Sequence, residues 1–205
     1  FKSDPSDNQC LKLERGVCNL PQGRALGGTS VINFLIHTRG NKQDYDDWEI
    51  AGNPGWSFND VLPYFKKSES TNLNTKFNHK YRGTEGPVSI EFPHFQSKVL
   101  EPFLEAGRQL GYRVVDPNAR QQLGFSRIQA TMKDGGRCSA AKAYIMPIAS
   151  RHNLDISIRT WVTKIVIDPS TMKAVGVEFI KDKKKRFVRA KKEVILAAGA
   201  IGSPH

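Results

Sequence analysis

The sequence lacks the marks of a membrane-spanning or metal-binding chain. Its 205 residues contain no apolar run near the roughly 20 residues that a transmembrane helix needs. It has only three cysteines, Cys10, Cys18 and Cys138, without a CxxC pair or the Cys/His spacing of a metal site. We therefore expect no membrane span and no bound metal ion.

So few cysteines leave the redox compartment undecided. Cys10 and Cys18 flank a short loop, and the sequence permits either a disulfide or two free thiols there. Residues 1–9 are polar and lack the apolar stretch of a signal peptide. Because the chain starts without Met and stops directly after a strand-like run, we expect it to be an internal piece of a longer protein.

Acidic residues are in the minority: 31 Lys and Arg face 20 Asp and Glu, a net charge of +11. Much of the excess lies in one cluster: Lys181, Lys183, Lys184, Lys185, Arg186, Arg189, Lys191 and Lys192. Such a cluster is either the solvated turn of a hairpin or a polyanion-binding surface. Because Phe187 is the only aromatic residue within it, the solvated turn is favoured and no nucleic acid partner is expected.

With 39% hydrophobic and 25% charged residues, the chain has the composition of a globular protein of one or two domains. Periodicity predicts helices early and strands late, which favours a mixed α/β (α+β) class. Helices are predicted over residues 28–36 (buried), 42–50, about 58–65 with Ser57 or Asn59 as the cap, 97–111, and 140–146 with Ser139 as the cap. Strands are predicted over 86–92, 154–158, 162–167, 174–180, 186–189 and 193–199, the last a buried parallel strand, and a polar surface loop over 68–82.

The most informative segment is GRALGGTSVIN, residues 23–33. Paired glycines allow a ligand to approach the backbone closely. Thr29 and Ser30 are candidate caps of a following helix, whose free N–H groups would suit an anion such as a pyrophosphate. By itself the segment is equally compatible with an ordinary glycine turn before a core helix.

Other segments follow this loop in an order that makes the pattern specific. They are HTRG (37–40), YDDW (45–48), GNPGWS (52–57), VLPYFKKSE (61–69), GTEGPV (83–88), RCSAAKAY (137–144), VGVEF (175–179) and KEVILAAGAIGSP (192–204). Together they resemble the glucose–methanol–choline (GMC) oxidoreductases, which are FAD-dependent alcohol oxidases and dehydrogenases. The residues of these segments are most similar to the insect glucose-dehydrogenase-like branch of the family.

The resemblance implies part of a discontinuous FAD-binding domain joined to part of an antiparallel-sheet substrate domain. It divides the chain into FAD-binding residues 1–82, substrate-domain residues 83–140 and a return to the FAD-binding domain over 141–205. In the family, the matching positions lie along the FAD pyrophosphate and flavin ring, contact the adenine through a strand backbone, or form a small-residue turn near the dinucleotide. The implied cofactor residues are Arg24, Ala25, Gly27, Gly28, Thr29, Ser30, Asn33, Phe34, Leu35, Val162, Ala198, Gly199 and Ala200.

The resemblance also implies the chemistry. It predicts oxidation of the CH–OH group of an alcohol or sugar by hydride transfer to FAD, with oxygen, a quinone or another carrier as the electron acceptor. Ile32 stands where some members tether the flavin through a histidine, so the FAD is expected to be non-covalent.

Two parts of the family pattern are absent from this sequence: the Gly-x-Gly-x-x-Gly fingerprint and the C-terminal catalytic histidine pair. No catalytic residue is therefore assigned, and the chain alone is expected to be inactive. Secretion is the expected location. The alternatives are a relative that has kept the fold and lost catalysis, and a polyanion-binding module formed by the basic cluster.

Overall fold

The computed structural model describes residues 18–73 and 79–204. The chain divides into two compact units, Phe1–Ala149 and Ser150–His205. Helices and a mixed sheet build the described part of the first unit, and an antiparallel sheet dominates the second. The predicted mixed α/β class is confirmed, while the three-part domain division stays a prediction.

The first two helices begin at polar caps. Helix α1 (Lys42–Ile50) follows Asn41, whose side chain accepts from Gln43 N while its own N–H donates to Asp44 Oδ2. Helix α2 (Phe58–Ser68) begins after Ser57, whose Oγ accepts a hydrogen bond from Asp60 N at 3.3 Å. Both helices therefore start where a polar side chain accepts a hydrogen bond from a backbone N–H of the first turn.

Aromatic side chains join α1 to α2. The Tyr45 ring lies 5.2 Å from the Trp48 ring and 5.4 Å from the Phe65 ring, both edge-on. Trp56, in the turn between the helices, packs edge-on to Trp48 at 5.8 Å. These edge-to-face pairs fix the hairpin of the two helices.

A four-stranded sheet forms the centre of the first unit, in the order β1 (Glu69–Thr71), β2 (Val88–Glu91), β3 (Ala130–Lys133), β4 (Gly136–Arg137). Strand β1 runs parallel to β2, and the other pairs are antiparallel. The sequence interpretation of residues 68–82 as a surface loop is wrong at β1, where Glu69 and Thr71 are buried. Polar side chains are tolerated there because ionic and hydrogen-bonding partners surround them.

The first unit also contains a third helix and two short helical turns. Helix α3 (Leu100–Gln109) buries Leu104 and Gly107, and a Cβ at Gly107 would lie only 2.7 Å from the Phe125 ring. A π-helical turn (Ala141–Ile145) and a 3-10 turn (Met146–Ile148) stand where one helix was predicted. Ser139 caps this region as expected, since its Oγ accepts from Lys142 N at 3.2 Å.

The second unit is an antiparallel meander of β5 (Trp161–Ile167), β6 (Ala174–Lys181) and β7 (Lys184–Arg189). Asp168 closes the first turn by accepting from Ser170 N and Thr171 N. Asp182 and Lys183 form the second turn with φ values of 51° and 61°, the left-handed conformation that a two-residue hairpin requires. The strands predicted over 162–167, 174–180 and 186–189 are confirmed.

Two predicted strands of this unit are wrong. Residues 154–158 and 193–199 are not in strands, and a four-residue helix, α4 (Gly199–Gly202), follows the second segment. Ile195 is 81% exposed rather than buried. An apolar run becomes a strand only where a neighbouring strand accepts its hydrogen bonds, and none of the described strands pairs with either segment.

None of the helices in residues 18–73 and 79–204 has the length and apolar character that crossing a bilayer requires.

Candidate functional site

Backbone contacts fold the glycine loop back on itself. Gly28 N donates to Ala25 O at 2.8 Å, and Gly23 N donates to Thr29 Oγ1 at 3.2 Å. A Cβ at Gly23 would lie 2.2 Å from Gly28 O, so only glycine fits that position. Gly27 and Gly28 have φ values of 97° and 56°, which glycine adopts at little cost.

The helix predicted after this loop is replaced by a single 3-10 turn, Gly28–Val31. Its N-cap is Gly27, and neither Thr29 nor Ser30 caps it. Ser30 Oγ instead donates to Gly27 O and accepts from Ala140 N at 2.9 Å. The prediction that Thr29 or Ser30 caps a helix here is therefore wrong. The anion-binding role of the loop stays a prediction, without the helix dipole that was expected to support it.

Beyond the turn, the chain leaves helical geometry and adds to the edge of β3. Asn33 Oδ1 accepts from Leu35 N at 3.2 Å, and Leu35 has a φ of 66°. Leu35 O then accepts from Thr131 N at 2.8 Å, and Ile36 forms an antiparallel bridge with Ala130. The sheet edge thus supplies the backbone partners that the predicted helix would have supplied internally.

Apolar side chains of this segment face solvent instead of a core. Ile32, Phe34 and Ile36 are all exposed, Phe34 to 94%. The prediction that residues 28–36 form a buried apolar helix is wrong on this count too. The surface next to the glycine loop is therefore apolar and accessible.

Side chains from residues 137–141 contact the glycine loop. A Cβ at Gly27 would approach Ala141 Cβ to 3.1 Å. Arg137 Nη1 donates to Ser30 O at 3.0 Å and to Asn33 Oδ1 at 2.8 Å. The sequence analysis placed Arg137 in a family segment but gave it no role. Its two partners lie more than 100 positions away, so no local pattern indicates these contacts.

The structure brings the predicted loop residues, from Arg24 to Leu35, together in the first unit. In the second unit, Val162 lies in β5 paired with Phe179. Ala198, Gly199 and Ala200 are exposed at the start of α4, where Ala198 N donates to Ser203 Oγ at 2.9 Å. Their roles as cofactor contacts stay predictions.

A buried ionic cluster follows the loop, and sequence reasoning missed it. Glu69, with a side chain only 1% exposed, accepts from Arg82 Nε at 2.9 Å and from Gly83 N at 2.9 Å, and it pairs with Arg39. His37 Nε2 lies 3.3 Å from the second carboxylate oxygen of Glu69. Through His37 and Arg39, this carboxylate anchors the chain leaving the glycine loop.

The cluster stabilises the charged form of Glu69. Burial by itself would raise its pKa, but the His37 imidazole and the Arg39 and Arg82 guanidinium groups lower the pKa to about 2. Arg82 is also held by Asp116, at 3.0 and 3.1 Å from Nη1. Burial lowers the pKa of Arg39, and Glu69 opposes that shift. Glu69 is therefore a structural anion and not a proton donor near neutral pH.

The question whether Cys10 and Cys18 form a disulfide or two free thiols falls partly outside the described residues, since Cys10 is not among them. Cys18 is disulfide-bonded, and Cys138 is a buried free thiol. In the ranges 18–73 and 79–204, no group of His, Cys, Asp and Glu side chains is arranged to hold a metal ion.

The basic cluster occupies the β6–β7 hairpin. All six residues of β7 are exposed, and its consecutive cations Lys184, Lys185 and Arg186 point to both faces of the edge strand. This arrangement is typical of an edge strand protected by charge.

The GMC oxidoreductase family model matches residues 9–205, and the chain belongs to this family. It is 41% identical to a glucose dehydrogenase (FAD, quinone) of Drosophila melanogaster, over all of this chain and 33% of that protein. It is 36% identical to an oxygen-dependent choline dehydrogenase of Sinorhizobium medicae, over all of this chain and 36% of that protein. The solved structure of an FAD-dependent oxidoreductase from Chaetomium thermophilum matches with a TM-score of 0.89 and 31% identity, over all of this chain and 36% of that one.

The predicted family and its likeness to insect glucose dehydrogenase are thus confirmed. The chain spans about a third of the length of these relatives.

Proposed function

We propose that the protein containing this chain is an oxidoreductase that binds FAD non-covalently and oxidises the CH–OH group of an alcohol or sugar. The observation that carries this proposal is the glycine loop beside an exposed apolar surface, in a chain of the GMC family. When bound, FAD supplies the hydride acceptor. The relatives named glucose dehydrogenase and choline dehydrogenase support a small alcohol or sugar as the substrate.

The loop residues fit a dinucleotide. Nothing lies within 4 Å of the position that a Cβ would take at Gly28, so the backbone there is open to a ligand. Asn33 supplies an exposed polar group, and Phe34 and Leu35 supply apolar contact for a flavin ring. Arg24, Ala25, Gly27, Thr29 and Ser30 complete this proposed contact set.

Residues of the second unit complete the proposal. Val162 would contact the adenine through its strand backbone, and Ala198, Gly199 and Ala200 would allow close approach to the dinucleotide. The proposed domain division assigns residues 1–82 and 141–205 to FAD binding and residues 83–140 to the substrate domain. Ile32 offers no nucleophile, so the attachment is non-covalent.

Flavin release after acid denaturation of the purified intact protein tests the cofactor and its attachment. We expect stoichiometric FAD in the supernatant and none on the precipitate. A panel of alcohols and sugars added without oxygen should then bleach the bound flavin. A protein that holds FAD but is bleached by no alcohol would support the inactive-relative alternative instead.

We also propose that the protein is secreted and that its electron acceptor is oxygen or a quinone. The disulfide at Cys18 supports an oxidising compartment. Detection of the protein in the culture medium of its own cells tests secretion. Reoxidation rates of the reduced flavin with oxygen and with a soluble quinone separate the two acceptors.

A further inference from the structure

Arg137 binds the C-terminal part of the glycine loop, at Ser30 and Asn33, through one nitrogen. Its Nη1 donates to the main-chain oxygen of Ser30 at 3.0 Å and to Asn33 Oδ1 at 2.8 Å. A guanidinium nitrogen carries two N–H groups, so both bonds form at once. Arg137 therefore ties the 3-10 turn and the Asn33 side chain to β4.

This contact determines which way the Asn33 carboxamide faces. Its Oδ1 receives hydrogen bonds from Arg137 and from Leu35 N, at 2.8 and 3.2 Å. Two donors directed at one atom require that atom to be the oxygen and not the amide nitrogen. The Nδ2 donors of this exposed side chain therefore point away from Arg137, and they bond to no residue in the ranges 18–73 and 79–204.

We propose that Arg137 is a positioning residue for the cofactor: it holds the Asn33 carboxamide so that Nδ2 donates a hydrogen bond to the bound flavin nucleotide. This inference rests on the proposed function. A carboxamide free to rotate would present its oxygen half of the time and would lose orientation entropy on binding. Arg137 fixes the carboxamide before the ligand binds, so neither the wrong orientation nor the loss of orientation entropy weakens the affinity.

Lysine would reproduce this role only in part. An ammonium on a flexible stem supplies donors but lacks the planar, pre-oriented fork of a guanidinium. Arg137→Lys should therefore retain part of the effect, whereas Arg137→Met removes every donor at similar length. Lys142, an exposed cation on the neighbouring π-helical turn, provides a matched control for loss of charge alone.

The first experiment titrates FAD into the deflavinated intact protein, followed by quenching of flavin fluorescence. Loss of a charged hydrogen bond should weaken the affinity of Arg137→Met about tenfold to hundredfold. Arg137→Lys should fall between Arg137→Met and wild type, and Lys142→Met should stay within about twofold of wild type. Wild-type protein that binds FAD, together with Arg137→Met that binds it equally well, would overturn this inference alone.

A double-mutant cycle separates orientation of Asn33 from general support of the loop. If Arg137 acts through Asn33, Arg137→Met should change the affinity less than about threefold when Asn33→Ala is already present. If Arg137→Met weakens the FAD affinity by the same factor in both backgrounds, Arg137 acts only on the loop through Ser30 O, and the inference is wrong. Urea unfolding of each apoprotein shows whether a variant is folded before it is titrated.

Failure of the proposed function gives a different result. A wild-type intact protein with no affinity for FAD overturns the proposed function and this inference together. If Arg137→Met is unfolded, Arg137→Lys replaces it in the titration and in the cycle with Asn33→Ala, since lysine retains a long side chain at position 137.

Discussion

Glu69 is the centre of the buried ionic cluster in the first unit. Its carboxylate is buried with Arg39 and Arg82, and it also accepts from Thr71 Oγ1 at 3.0 Å. Buried ion pairs contribute little when compared with a well-packed apolar core, yet removing one partner leaves the other charges uncompensated. The cluster therefore makes the fold sensitive to this one carboxylate.

Glu69→Gln should destabilise the protein by about 3–5 kcal/mol, because two buried guanidinium groups would lose their shared counter-ion. Urea unfolding measures the change. Glu105→Gln is the matched control, since Glu105 forms an exposed pair with Arg108 at 2.9 Å and should cost at most about 0.5 kcal/mol. Equal effects of the two substitutions would contradict the structural role of Glu69.

The same carboxylate predicts a pH dependence of stability. Its pKa is about 2 in the folded protein against an ordinary value of 4.5. The folded state therefore binds this proton less readily than the unfolded state does. The contribution, about 3 kcal/mol, is complete above about pH 5 and is lost as the pH falls from there towards 2.

Unfolding free energies measured between about pH 3 and 7 test this dependence. Wild type and Glu105→Gln should lose stability on acidification, and the Glu69→Gln curve should be flatter. A Glu69→Gln curve parallel to that of wild type would assign the acid sensitivity to other carboxylates.

At the scale of elements, helix α2 is capped by Ser57, although the sequence also permitted Asn59 as the cap. Ser57→Ala should cost about 1 kcal/mol, because Asp60 N loses its side-chain acceptor. Asn59 lies inside the first turn with an exposed side chain, and Asn59→Ala should change stability by less than about 0.5 kcal/mol. Urea unfolding distinguishes the two, and a larger loss for Asn59→Ala would reverse the assignment.

The glycine loop makes a second prediction at this scale. Gly23→Ala places a methyl group against the backbone of Gly28, whereas Gly28→Ala points into open space at a φ of 56°. Gly23→Ala should open the loop and speed tryptic cleavage after the exposed Arg24 about tenfold, and Gly28→Ala should change the rate less. Equal cleavage rates would show that the close approach of Gly23 to Gly28 does not keep the loop folded.

At the scale of the whole molecule, large apolar side chains are exposed in both units. Phe34 and Phe95 in the first unit and Leu196 in the second are examples. Contiguous exposed apolar surface usually marks a surface that binds something. Because the chain spans about a third of its relatives, the proposed activity belongs to the intact protein.

Residues 1–205 expressed alone should therefore bind the dye ANS strongly and bind FAD weakly or not at all. The intact protein at the same concentration is the control, and it should bind less dye per residue and carry the flavin. A stoichiometrically yellow 205-residue chain with alcohol turnover would contradict this prediction.

Local patterns were sufficient for much of this molecule. Cap residues such as Ser57 and Ser139, the turn at residues 168–171 and the strands of the second unit depend on neighbours within a few positions, so the sequence predicts them. The ordered family segments likewise identified the GMC family. The predictions for residues 28–36 and 193–199 failed because each assumed that an apolar run packs against a neighbouring element. Whether such a neighbour is present depends on the tertiary structure.

The sequence by itself determined the family, the glycine positions of the loop and most of the helices and strands, because these depend on short-range chemistry. Only the tertiary structure decided that Glu69 is buried between arginines, that the segment after Gly28 leaves helical geometry, and that Arg137 orients Asn33. Those outcomes need groups 13 to over 100 residues apart to meet. Their energies come from burial and from partners that no local pattern contains.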